Sequence, residues 1–87
     1  MARWETHRSD ANAEEIIAAW RRVGATVEAI GRPVDVVVGY KGVNYLAEIK
    51  TLRGKLRPRQ EAFLETWRGQ VAVIRTVAEG FRLIGVS

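Results

Sequence analysis

The chain contains no cysteine and a single histidine, His7. Without thiols there are no thiolate clusters and no thiol nucleophile, and one imidazole cannot complete a zinc finger. A histidine-based nuclease or a Ser-His-Asp triad would rest on that one residue near the start of the chain. Long apolar runs are also missing, which excludes a membrane-spanning helix. The opening MARWETHRSD has cations but lacks the apolar stretch of an export signal, so a cytoplasmic setting is expected. Any catalysis falls to carboxylates.

What is present fits a small globular protein. Of 87 residues, 47% are apolar and 28% charged, enough for one modest core. A chain this short buries a comparatively small fraction of its surface, and oligomerisation is an expected supplement. The net charge of +4 suits a polyanionic partner. Residues 1–9, with Arg3, Trp4, His7 and Arg8, show no periodicity and read as an arm; residues 10–87 read as a single domain.

Ser9 or Asp10 can cap a first helix through about Arg22, with Glu14 and Glu15 in its early turns and Gly24 as its stop. Helical spacing puts Ala13, Ile16, Trp20 and Val23 on one face, with Asn12 and Ala19 at its edge. Glu15 falls at the boundary of that face. It is either a surface acid paired with a neighbour such as Arg22 or a contributor to a site beside the core. Residues 25–30 read as a strand.

The segment PVDVVVGYKGVNYLAEIK carries two strand-forming runs around Lys41-Gly42, a hairpin signal with Pro33 at the strand's start. A turn centred between those two residues pairs Tyr40 with Val43, Val38 with Tyr45, Val36 with Ala47, and Asp35 with Glu48. Opposed residues hold their Cβ atoms about 5 Å apart, and like charges so placed are destabilising unless offset, as a divalent cation would do. Lys50 shares the face of Glu48, whereas Ile49 points into apolar packing. A register slip of one residue would put the acids on opposite faces. A structural ion-pair cluster of the same three residues is the competing reading.

From Lys50 the chain runs KTLRGKLRPR, with no acid, which places Arg53, Lys55, Arg57 and Arg59 beside the acidic corner where they can hold phosphates. Pro58 suits the first turn of a second helix reaching about Arg68, with Gly69 as its stop. Gln60, Phe63, Leu64 and Trp67 share one face, so Gln60 is either exposed at a frayed first turn or partnered near the acids. Residues 71–75 read as a fourth strand. Thr76 to Glu79 has the form of a capping box for a short last helix, with a strand over 81–86 as the alternative because Gly80 interrupts it.

Asp35, then Glu48-Ile49-Lys50, then Gln60 on the next helix, in this element order, resemble the PD-(D/E)XK nuclease superfamily, and within it the compact VRR-NUC type found in phages. The resemblance covers about Asp10 to Ile84, including Asn12 and Glu15 and the run Leu56-Arg57-Pro58-Arg59-Gln60. It departs from the family pattern at Val34, which separates Pro33 from Asp35. It implies an α/β, restriction-endonuclease-like αβββαβ core with a mixed four-stranded sheet flanked by helices and a short C-terminal helix. The implied activity is metal-dependent hydrolysis of DNA phosphodiesters, selective for four-way junctions or branched DNA. Asp35, Glu48 and the Ile49 carbonyl would ligate Mg²⁺ or Mn²⁺, Lys50 would serve the attacking water, and Glu15 and Gln60 would support them. A homodimer on DNA is implied, with neither membrane nor organic cofactor. The rival function is a non-catalytic DNA-binding module or subunit on the same fold.

Overall fold

The computed structural model describes residues 12–86, so the expected arm over residues 1–9 and the Ser9 and Asp10 caps lie outside the described residues. The described residues form a small α/β domain in which a mixed four-stranded sheet is flanked by three helices. In chain order these are α1 (Ala13–Arg22), β1 (Thr26–Ala29), β2 (Val36–Tyr40), β3 (Val43–Ile49), α2 (Pro58–Thr66), β4 (Val71–Ile74) and α3 (Val77–Ile84). None of the described helices is long and apolar enough to cross a membrane.

The β2–β3 hairpin has the expected register, from Tyr40 against Val43 to Val36 against Ala47. Its two turn residues, Lys41 and Gly42, both take positive φ, at 52° and 82°. That is the requirement of a type I′ turn, whose twist matches the strands it joins. β1 adds to β2 antiparallel, and β4 pairs with β3 in parallel. Parallel strands cannot be joined by a tight turn, so the chain between them must cross the sheet, and α2 lies on that crossover. Pro33 sits in the connection ahead of β2, after a cis peptide bond, instead of opening the strand.

Strand alternation divides the sheet into two faces. Val27, Val36, Val38, Ala47, Ile49 and Ile74 point to one face, where they pack against Ile16, Ile17 and Trp20 of α1 and Ile84 of α3. The other face carries Val37, Leu46 and Val73, each partly buried, with the buried Glu48, and α2 meets it through the bond from Gln60 to Glu48. The sheet is therefore apolar on one side and ends in a polar corner on the other.

One helix end differs from the sequence expectation, and the last helix forms as expected. α2 stops at Thr66, not near Arg68, and Trp67 turns extended. The Thr66 hydroxyl donates back to the carbonyls of Ala62 and Phe63, a bond that competes with helix continuation. Trp67 consequently leaves the core-facing stripe. Its ring stacks on Phe63 with centroids 5.1 Å apart, and it stays 46% exposed. At the chain's end the helix forms, not the alternative strand. Thr76 accepts the N–H of Glu79, and Gly85 closes α3 at φ 82°.

Gly80 explains why that helix tolerates a poor helix former. Trp20 is fully buried and donates its indole N–H to the Gly80 carbonyl at 2.9 Å. A Cβ on Gly80 would lie 3.1 Å from three atoms of the indole. Gly80→Ala should therefore lower stability by about 1–3 kcal/mol, although helix propensity alone favours alanine by about 1 kcal/mol. Urea denaturation reads the sign directly; a stabilised Gly80→Ala would refute this packing.

Candidate active site

β3 delivers Glu48 to the sheet's polar corner at 2% exposure. Asp35 lies one residue before β2, just past the last hairpin pair, and its Oδ2 accepts the backbone N–H of Ile49 at 2.8 Å. A side chain thus takes over where the ladder between β2 and β3 ends. The Asp35 carbonyl turns the other way and accepts the N–H groups of Ile30 and Gly31. The expected opposition of the two acids is present in electrostatic form. Burial pushes the Glu48 carboxyl up from 4.5 to about 7, and the Asp35 charge raises it further within that value. Lys50, a backbone hydrogen bond from Asp35 and the Arg59 charge pull in the opposite direction. Lys50 Nζ stands 3.7 Å from Glu48 Oε2.

Gln60 resolves to the partnered reading. It is buried, and its Nε2 donates to Glu48 Oε2 at 2.5 Å while its Oε1 accepts the N–H of Arg57 at 2.8 Å. The second bond is one half of a capping box at the start of α2. Arg57 has no acceptor with which to supply the other half. Both ends of the amide are therefore assigned, and the orientation of Gln60 follows from the helix start. Arg59 reaches over the same corner, its Nη1 3.5 Å from the Pro33 carbonyl.

Arg53, Lys55 and Arg57 are exposed along the segment between β3 and α2. What holds that segment was not legible in the sequence. Arg75, at the end of β4, donates through Nη1 to the carbonyls of Thr51 and Gly54 at 2.6 and 2.7 Å. Asn12 donates its amide to the carbonyls of Lys50 and Arg75 at 3.0 and 2.7 Å. Asn12 occupies the N-cap position of α1 but makes no side-chain cap bond, because its amide N–H groups are directed at these two strand ends. The only sequence signal for Arg75 is a lone cation ending an apolar strand.

Glu15 is placed apart from the acid pair. It is exposed on α1 and borders a groove with Asn12, Leu52 and Arg75. The charges acting on Glu48 come from Asp35, Lys50 and Arg59. Asp35, Glu48, Ile49, Lys50, Gln60 and Arg59 are thus brought together, whereas Glu15 lines the neighbouring surface.

Among the described residues no cluster of three or more His, Cys, Asp or Glu side chains could hold a metal ion. Two carboxylates and a backbone carbonyl remain as donors. All are oxygens, and this set suits a small hard cation that retains several waters, such as Mg²⁺ or Mn²⁺. In an extended residue the N–H and C=O project to the same strand edge, which turns the Ile49 carbonyl towards Asp35. No family model, curated protein or solved structure matches the chain.

The raised Glu48 carboxyl has a stability consequence. Above pH 4.5 the unfolded chain releases this proton, while the folded protein keeps it until about pH 7. Stability should thus fall by about 3 kcal/mol as pH rises through that window, and level off above it. In chelator, Glu48→Gln should flatten this slope and raise Tm at pH 8, with equal slopes in both proteins speaking against a buried acid. Arg75→Ala should speed amide exchange across residues 51–57 with little change in the core; unchanged exchange there would exclude Arg75 as the clamp of that segment.

Proposed function

We propose that the protein is a divalent-cation-dependent DNA endonuclease of the PD-(D/E)XK type, with a restriction-endonuclease-like αβββαβ core. The observation that carries this reading is a buried carboxylate, Glu48, with a second acid and a lysine at its side, opening directly into an acid-free basic segment. A purely structural ion pair does not need a second acid that opposes the first. Perturbed carboxylates of this kind concentrate at functional sites.

Asp35, Glu48 and the Ile49 carbonyl would hold Mg²⁺ or Mn²⁺, which when bound polarises a phosphoryl oxygen and lowers the pKa of water. Lys50 donates hydrogen bonds, so it orients the attacking water and balances charge on the phosphate. The water gives up a proton to bulk solvent as its oxygen bonds to phosphorus, the P–O bond to the leaving nucleotide breaks, and the leaving oxygen takes up a proton from solvent. Gln60 fixes the Glu48 carboxylate through its amide N–H and does not touch the substrate. Arg53, Lys55, Arg57 and Arg59 hold flanking phosphates without reading sequence. A homodimer would present two such centres to the two strands of a four-way junction or branched duplex.

The test uses a labelled four-way junction, linear duplex and single strand, with Mg²⁺, Mn²⁺ or chelator. Cutting should require the cation and fall about 10²–10⁴-fold in Lys50→Ala and Asp35→Asn. Calorimetry should show Mn²⁺ binding that Glu48→Ala removes. Cutting that persists in chelator, or in both variants, would falsify the mechanism. DNA binding without any cutting would favour the rival DNA-binding module.

A further inference from the structure

We infer, building on the nuclease reading above, that the groove beside Lys50 receives an unpaired nucleobase from the nucleotide flanking the cut phosphate. The groove prefers bases that offer several N–H donors, guanine above thymine. It runs between the start of α1, the residues after Lys50 and the β4–α3 junction, with a volume of about 550 Å³. That lies within the range of small-ligand sites. Ile16, Leu52 and Val77 give it apolar walls.

Its polar atoms are unequal in kind. Asn12 spends both amide hydrogens on the Lys50 and Arg75 carbonyls, and its Oδ1 is left buried without a hydrogen-bond partner among the described residues. The Glu15 carboxylate stands one helical turn further on. The one cation in the wall, Arg75, is committed through Nη1 to the Thr51 and Gly54 carbonyls. What the groove offers a ligand is therefore the exposed Glu15 carboxylate as an acceptor, set beside apolar walls and the Thr51 and Thr76 side chains. Glu15 disfavours a phosphate beside it, and the Arg75 charge lies across the wall, held on the Thr51 and Gly54 carbonyls. A flat heterocycle with N–H groups suits the Glu15 carboxylate and the apolar walls together.

Position selects the base over other heterocycles. Leu52 follows Lys50 by two residues, at most about 7 Å of chain, and the groove's Asn12 holds the Lys50 carbonyl itself. Leu52 is 73% exposed, an apolar side chain held in water at the groove's rim, where a stacked base would cover it. Arg53 and Lys55 follow directly with their charges exposed to the backbone of the same strand. Guanine offers N1–H and N2–H₂ to the carboxylate, adenine and cytosine an amino group, and thymine a single imide N–H. These edges are free only when the base is unpaired. The groove would thus supply selectivity for frayed or branched DNA over intact duplex.

The experiment first maps the phosphate cut by the wild-type protein in a labelled four-way junction. Each flanking nucleotide is then replaced in turn by guanosine, inosine, thymidine or an abasic site. Binding is measured by anisotropy in chelator and kcat/KM in Mg²⁺. At one flank, guanosine should exceed the abasic site by at least tenfold in both measures, with inosine between them. Leu52→Ala and Glu15→Gln should each erase most of that difference, with binding of intact duplex unchanged. Equal behaviour of guanosine, thymidine and the abasic site at both flanks overturns the groove's role and leaves the nuclease reading standing. A lowered Tm in Leu52→Ala with base discrimination intact means that the groove is filled from within the chain, and overturns it as well. Failure to cut any DNA removes the nuclease reading, and this inference with it.

Discussion

The burial of Glu48 dictates how the surrounding elements are arranged. An ionised carboxylate removed from water is disfavoured by several kcal/mol unless neighbours replace its hydration. Here the replacements come from three places: the Gln60 amide on α2, the Lys50 ammonium on the same strand, and a backbone hydrogen bond from Asp35. Each fixes something beyond itself. Gln60 can reach only because Pro58 opens the helix two residues earlier and Arg57 donates its N–H to the same amide. Asp35 faces Glu48 only because a two-residue turn sets the register of the hairpin. The corner is then over-determined in geometry and under-compensated in charge, since Asp35 opposes the carboxylate that its backbone supports.

The basic segment is organised by a different logic. Its cations point outward, while the groups that shape it are directed at its carbonyls. Arg75 bonds to main-chain oxygens where an acidic partner could have been expected, and Asn12 does the same from the opposite layer of the fold. Backbone carbonyls keep their position whichever side chains surround them. A segment anchored through them can present Arg53 and Lys55 without neutralising either charge.

Much of this arrangement could be read before any coordinates. Alternation across Val34 to Val38 and Tyr45 to Ile49, with a Lys-Gly turn, specifies both the hairpin and the face of Glu48, because a strand's period leaves one register that buries the valines. The two-fold ambiguity at Gln60 was not resolvable in sequence, since a helical stripe does not say whether its first member lies inside or out. α2 is shorter than its apolar spacing implies for a local reason: the back-bonding hydroxyl of Thr66 ends the helix before Gly69 is reached, and Trp67 leaves the stripe with it. Arg75, Asn12 and the position of Glu15 were hidden because they depend on contacts between residues far apart in the chain, which periodicity cannot encode. Gly80 read as a flaw in a helix; across the fold it is the space that Trp20 occupies.

The parallel pairing of β3 with β4 has a further consequence, for the order in which the molecule assembles. The hairpin closes over two residues, but β4 can join only after the chain has spanned residues 50–70, and closing so long a loop is entropically slower than closing the hairpin. That connection carries Lys50, the basic segment and Gln60, and within α2 only Gln60 is buried. The same connection must close before β4 and α3 can add Ile74 and Ile84 to the core. The candidate centre and the last part of the core are thus completed together, when β4 docks beside β3.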